Sequence, residues 1–262
     1  MSNQPVVFIH GLWIHSAAWE PWVALYRDAG YEPLTPGWPG DGATVEATRR
    51  DASAVAGYGL ADIAEHYTKI IVDLPSRPVV VGHSFGGLIA QQLLASGLAS
   101  HAVAIDPGPP KGVTKVPLSQ IRAALPVLRK KSNREAAVTL TERQFRYSFA
   151  NALSKDEARE LVRRWSIPGP GKPLFEATSA KKDPNSPAAV DTATSDRGPL
   201  LITGGAKDHQ VPEAVTRAAY QLYAGSRAIT DYHVFPDRGH SLVFDSGWRE
   251  VADYTLAWLG RH

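Results

Sequence analysis

Short apolar runs alternate with stretches of helical periodicity over residues 6–106, and the pattern resumes over 199–262. The apolar runs at 6–10, 31–35, 78–81, 102–106, 199–204 and 231–235 read as strands. Helices are predicted over 18–29, 59–74, 88–96, 212–223 and 248–259, the second on the spacing of Ile63, Tyr67, Ile70 and Ile71. Strands this uniformly apolar are buried on both faces. Their alternation with helices predicts an α/β fold, a mostly parallel central sheet with helices on both faces.

Between 107 and 198 the alternation stops. Short helical patterns at 118–128, 141–150 and 155–165 are separated by segments such as Pro168-Gly169-Pro170-Gly171. An insertion that leaves the carboxyl end of one strand and returns at the next predicts a helical cap, because ligands bind outside the carboxyl ends of such strands. The alternative is a loop-rich segment that covers a sheet edge. The expected division is therefore a core at 1–106 and 199–262 and a cap at 107–198.

The strand at 78–81 runs directly into Gly82-His83-Ser84-Phe85-Gly86 and then into a helix. Gly-x-Ser-x-Gly by itself is a weak signal. Between a buried strand and a helix it marks a turn so tight that the serine takes strained backbone angles and lifts its hydroxyl clear of the sheet. A serine hydroxyl needs a base to become a nucleophile, and the base needs a partner to hold it. Downstream, Asp208 follows one predicted strand and His240 follows the next, so both project from the same side of the sheet as Ser84. Ser84 is the expected nucleophile, His240 the base and then acid, and Asp208 the residue that orients the imidazole. Asp106, at the end of the strand at 102–106, is a rival for the acid. His209 and His233 are rivals for the base, although one adjoins Asp208 and the other falls inside a strand pattern.

A tetrahedral intermediate needs two N–H donors. The amide of Phe85, next to the nucleophile, is one candidate. The turn at His10-Gly11 after the first strand offers the other, from Leu12 or, as a second choice, Trp13. Pocket walls are sought among Leu12, Trp13, Phe85, Leu242 and the aromatics Phe145, Phe149 and Phe175, and the loop around Trp38 is a further candidate to overhang the site. Arg143, Arg146, Arg163 and Arg164 lie among acids on amphipathic patterns and read as a solvated face.

Composition removes several classes of function. The 262 residues hold no cysteine, which excludes disulfides, thiol catalysis and Cys-ligated metal. Net charge is +2, from 28 basic and 26 acidic residues, so no nucleic-acid partner is expected. No apolar run approaches the roughly 20 residues that span a bilayer, so no membrane partner is expected either. Met1-Ser2-Asn3-Gln4-Pro5 lacks a basic region followed by an apolar stretch, and a cytoplasmic location is the expectation.

With His10-Gly11, Gly82-His83-Ser84-Phe85-Gly86-Gly87, Asp208 and His240 in this order, the chain resembles the α/β-hydrolase superfamily over most of residues 5–262. His10-Gly11 followed by Trp19 and Gly82-His83-Ser84 looks more narrowly like the compact branch of plant methylesterases, hydroxynitrile lyases and small bacterial esterases. That resemblance implies an α/β-hydrolase fold, an esterase acting on a small-molecule ester, and neither cofactor nor metal. The lyases carry a lysine directly after the catalytic histidine, where this chain has Ser241, a departure that favours hydrolysis. Haloalkane dehalogenases look similar but use an aspartate where Ser84 stands. The same triad also serves thioesters, lactones, carbon–carbon bonds and cofactor-free perhydrolysis, and a ligand-binding protein with a relic triad is a further alternative.

Overall fold

The computed structural model describes residues 4–262; residues 1–3, part of the segment read for a signal, lie outside the described residues. Among the described residues eight strands are formed: β1 (Gln4–Ile9), β2 (Tyr31–Leu34), β3 (Val79–His83), β4 (His101–Ile105), β5 (Ala137–Val138), β6 (Gly169–Pro170), β7 (Leu200–Gly205) and β8 (Thr230–Phe235). Six of them make one sheet in the order β2-β1-β3-β4-β7-β8, and every pairing in it is parallel. β5 and β6 form a separate antiparallel pair. The α-helices, in chain order, are α1 (Glu20–Asp28), α2 (Val45–Arg50), α3 (Leu60–Val72), α4 (Phe85–Ala95) and α5 (Leu118–Leu128), then α6 (Glu142–Ser148), α7 (Lys155–Trp165), α8 (Lys172–Ser179), α9 (Glu213–Gln221) and α10 (Trp248–Leu259).

The expected α/β layering is what forms. β3 and β7 are buried along their whole length, and β1 and β4 at all but their first residue, as apolar runs demand, while β2 and β8 are the half-buried edges. The segment 107–198 carries α5 to α8 and the β5–β6 pair, and it is sewn to the loop after β1. Ile14 bridges Ser166, His15 N–H donates to Trp165 O at 3.0 Å and Ile167 N–H to Trp13 O at 2.9 Å. α2 and α8 have no counterpart in the sequence reading, being short. Among the described residues no helix is long and apolar enough to cross a membrane.

Aromatic packing beneath β1 ties the two ends of the core together. Phe8 meets Trp19 and Tyr26 at ring separations of 5.0 Å each. Trp22 Nε1–H donates to Val243 O at 2.7 Å, and Tyr26 and Thr255 share a hydroxyl hydrogen bond of 2.8 Å. α1 is thereby fastened to α10 and to the loop before it.

The turn between β3 and α4 depends on two close approaches. Ser84 has φ +56° and ψ −125°, a conformation that costs on the order of 1–3 kcal/mol for a residue with a side chain. A Cβ at Gly82 would lie 2.1 Å from Gly86 O, and one at Gly86 would lie 2.2 Å from Ile9 O. Both obstacles are backbone and cannot step aside. Gly86→Ala is therefore expected to lose about 3 kcal/mol or more of stability in chemical denaturation; a loss under about 1 kcal/mol would show that the turn relaxes freely.

Candidate active site

The elbow presents Ser84 at the carboxyl edge of the sheet. Its N–H donates to Ile105 O at 3.0 Å, and its carbonyl accepts from the N–H groups of Gly87, Leu88 and Gly108 at 2.9, 3.2 and 2.8 Å. His240 lies in the loop between β8 and α10. That loop is held by two contacts from outside and two within it. His83 Nε2–H donates to His240 O at 2.9 Å, Ser241 N–H to Phe149 O at 3.1 Å, Ser241 Oγ–H to Asp245 Oδ2 at 2.7 Å, and Arg238 pairs with Asp245. Ser241, where the lyases carry lysine, thus serves the loop itself.

The structure brings Ser84, His240 and Asp208 together. His240 Nε2 lies 3.0 Å from Ser84 Oγ, and Nδ1 lies 2.6 Å from Asp208 Oδ2. All three residues are buried. Asp208 lies in the loop after β7, and its Oδ1 accepts from the N–H groups of Gln210 and Val211 at 2.6 and 2.8 Å, which sets the plane of the carboxylate. Burial would raise its pKa, but the neighbouring His240 and the hydrogen bonds it receives hold the carboxyl below the usual carboxylate value. A neutral His240 with Nδ1–H given to Asp208 leaves Nε2 as the acceptor for the serine proton, which is a proton-abstraction geometry.

The rival histidines are placed elsewhere, whereas the rival acid Asp106 stands beside Asp208. His209 Nδ1–H donates to Tyr147 O at 3.1 Å and tilts its ring against that of Tyr147, while His233 lies in β8 with its ring 3.9 Å from Tyr254. Asp106 ends β4 with φ +44° and gives Oδ1 to the Gly205 N–H at 2.8 Å. One oxygen each of Asp106 and Asp208 and a nitrogen of His240 lie within 4.8 Å of one another, a spacing that ligands to a cation also show. Here both His240 nitrogens and both Asp208 oxygens already have hydrogen-bond partners.

The loop after β1 crowds Ser84, since a Cβ on Gly11 would lie 2.8 Å from Ser84 Cβ. Among the described residues the backbone N–H groups of Leu12 and Phe85 donate to no protein acceptor, and the Trp13 N–H, at φ +69°, is likewise free. His10 stacks on Trp38 at 5.1 Å, and Trp38 is buried against it, so that side chain does not overhang the site.

A cavity of about 430 Å³ opens at Ser84 and Phe85. Its walls come from the stretch after β4, including Pro109 and Val113, from Ile121 and Leu125 of α5, and from Leu174 of α8. Its charged lining groups are Lys111, Lys115 and Lys181. Of the residues sought as pocket walls only Phe85 lines it; Leu12, Trp13, Phe145, Phe149, Phe175 and Leu242 are not among its lining residues. Trp13, Phe149 and Leu242 are buried in the core and Phe175 packs against it. Phe149 instead stacks on Phe145 at 4.9 Å and sets its ring edge-on to His240 at 4.8 Å, so the inserted segment touches the imidazole directly. The walls follow the carboxyl end of β4, where a ligand is expected in such a sheet, and apart from Phe85 they include no aromatic side chain.

Comparison with known proteins agrees with this architecture. A model described as the alpha/beta hydrolase family matches residues 6–254. No curated protein sequence matches. Among solved structures, a methylesterase from Arabidopsis superposes with a TM-score of 0.68 at 16% identity, covering 99% of this chain and 100% of that one. A monoacylglycerol lipase of Paleococcus ferrophilus gives 0.70 at 20% identity over 99% and 96%. A polyneuridine aldehyde esterase gives 0.63 at 14% over 98% of each chain. At these identities the likeness is one of fold.

His83 yields a prediction about stability. Burial, and next the adjacent His240, hold its imidazole well below the ordinary histidine value, so it folds neutral. The unfolded chain binds a proton there below about pH 6.5, and the folded chain does not, so its contribution falls by up to about 1.4 kcal/mol per unit as pH drops below 6.5. His83→Gln should make stability less dependent on pH between about 6.5 and 5 in denaturant titrations. An unaltered slope would contradict a neutral buried His83.

Proposed function

This chain belongs to the alpha/beta hydrolase family, and from that premise we propose that it is a serine hydrolase that cleaves a carboxylic ester of a small, mainly apolar substrate through an acyl-enzyme on Ser84. The observation that carries this reading is the buried relay from Ser84 Oγ through His240 to Asp208, with hydrogen bonds of 3.0 and 2.6 Å. A buried relay supplies what a hydroxyl lacks in water, a fixed base with a fixed counter-charge.

His240 Nε2 takes the serine proton as Oγ attacks the ester carbonyl. The C=O pair moves onto oxygen, and the Phe85 and Leu12 N–H groups receive the resulting oxyanion. Collapse expels the alcohol, which leaves with the proton from His240. A water then gives its proton to His240 and attacks the acyl carbonyl, and Ser84 leaves with that proton restored. Asp208 remains ionised throughout and stabilises the imidazolium. The free N–H groups beside Ser84 support the oxyanion role, since donors committed elsewhere would have to break bonds first.

The segment 107–198 acts in this account as the cap. It supplies most walls of the cavity, and those walls are largely apolar. A volume of about 430 Å³ suits a ligand of small-molecule size.

The test is hydrolysis of p-nitrophenyl acetate and longer p-nitrophenyl esters. Ser84→Ala is expected to abolish turnover with little change in thermal midpoint. Asp208→Asn should lower kcat by about 10⁴ and His240→Ala by at least as much, because a triad acts as a unit. The wild-type rate should rise with pH and then level, because only a base without its proton can accept that of Ser84. Turnover that survives Ser84→Ala, or a flat profile from about pH 5 to 8, would contradict the reading.

A further inference from the structure

Asp106 is wholly buried at the end of β4 and takes no step in the reaction above. Its backbone is pinned in a left-handed conformation, with N–H given to Thr203 O at 3.2 Å and φ at +44°. Oδ1 accepts from Gly205 N–H, while Oδ2 has no protein donor among the described residues. β7 passes so near that a Cβ on Gly205 would stand 3.1 Å from Oδ2. The carboxyl offers an oxygen within 4.8 Å of one from Asp208 and of a His240 nitrogen.

Two carboxylates this close and this dry do not both ionise; one proton between them removes the repulsion. Which one keeps it follows from the donors around each. Asp208 receives the Gln210 and Val211 N–H groups and His240 Nδ1–H, whereas Asp106 receives the Gly205 N–H. The charge therefore resides on Asp208. Burial, and next the negative charge of Asp208, raise the Asp106 pKa well above the carboxylate range. The remaining ionisable groups around the pair do not supply a cation. His83, packed on the His240 ring at 4.6 Å, folds neutral, Arg238 turns to Asp245, and Lys207 pairs with Asp237 at the surface.

We propose that Asp106 is a positioning residue, a neutral carboxylic acid whose Oδ2–H donates to Asp208 and so fixes the carboxylate that orients His240. The role rests on the serine-hydrolase reading of Ser84, His240 and Asp208. Asp106 keeps its proton through turnover, so no proton is gained or lost at this position.

Two measurements test it. In infrared difference spectra at neutral pH, wild type minus Asp106→Asn should show the C=O stretch of a protonated carboxylic acid, shifted in D₂O; a difference confined to carboxylate bands overturns the proposal. The second is the pH dependence of p-nitrophenyl acetate hydrolysis. Asparagine accepts from Gly205, donates to Asp208 and tolerates the left-handed backbone, so Asp106→Asn should keep kcat within about threefold and leave the rising limb in place. Asp106→Ala removes the donor and leaves Asp208 a stronger partner for the imidazolium. Its limb should move to higher pH and its kcat fall about tenfold at unchanged KM. An ionised Asp106 predicts the opposite sign, with the limb moving to lower pH in both variants. A purely structural role predicts a lower melting temperature and an unmoved limb in both; either result overturns the proposal. If Asp106→Ala fails to fold, Asp106→Asn and the infrared band decide alone. Absence of wild-type hydrolysis would overturn the serine-hydrolase reading and this role with it, while the infrared band separately reports whether Asp106 holds the proton.

Discussion

The strained turn at Ser84 is the constraint on which the site depends. A serine at φ +56° is held only because its surroundings leave no other arrangement. Its N–H and C=O are both committed, to the end of β4 and to the start of α4, and the glycines on either side allow backbone to pass where a methyl group would collide. Relaxing the strain would withdraw the hydroxyl from His240. The same turn sets the Phe85 amide beside Ser84, so in the proposed reaction one local distortion would serve both the attack and the charge that follows it. The cost sits in a four-strand buried core that can bear it, with β1, β3, β4 and β7 packed on both faces.

Around that turn the protein collects groups that dislike being buried and arranges them so that few are charged at once. Asp208 carries its charge because N–H donors and the imidazole surround it. His83 stays neutral beside His240 and uses its Nε2–H to brace the loop that carries it. Asp245 is likewise buried and is raised by that burial, yet Arg238 and Ser241 hold it as the anchor of the same loop. Low polarity strengthens each of these contacts and makes any unpaired member expensive. The arrangement therefore specifies one geometry of the relay more sharply than hydrophobic packing alone would.

Much of this was legible in the residues. Strands buried on both faces announce themselves as apolar runs, and a nucleophile elbow carries its own local grammar of glycines. Asp208 and His240 stand just past strand ends, which puts them at the same edge of the sheet as Ser84. The pocket walls were not legible for a physical reason. Large side chains such as Trp13, Phe149 and Leu242 are strong sequence signals but fill the core, whereas the cavity is walled by Pro109, Val113, Ile121 and other aliphatic residues of the segment 107–198. The closeness of Asp106 to Asp208 was invisible for another reason. It arises where the ends of β4 and β7 meet, a contact between distant parts of the chain that leaves no periodic trace. The short α2 and α8 are set by tertiary contacts, such as the Leu60 N–H to Glu176 carboxylate bond of 2.7 Å, more than by propensity.

The central claim is that Ser84 is a nucleophile activated by its neighbours. Treatment of the folded protein with a fluorophosphonate, followed by peptide mapping, tests this without knowledge of the substrate. The account predicts a stoichiometric adduct on Ser84 that is absent from Ser84→Ala. No adduct on a folded sample, or an adduct on another residue, would contradict it.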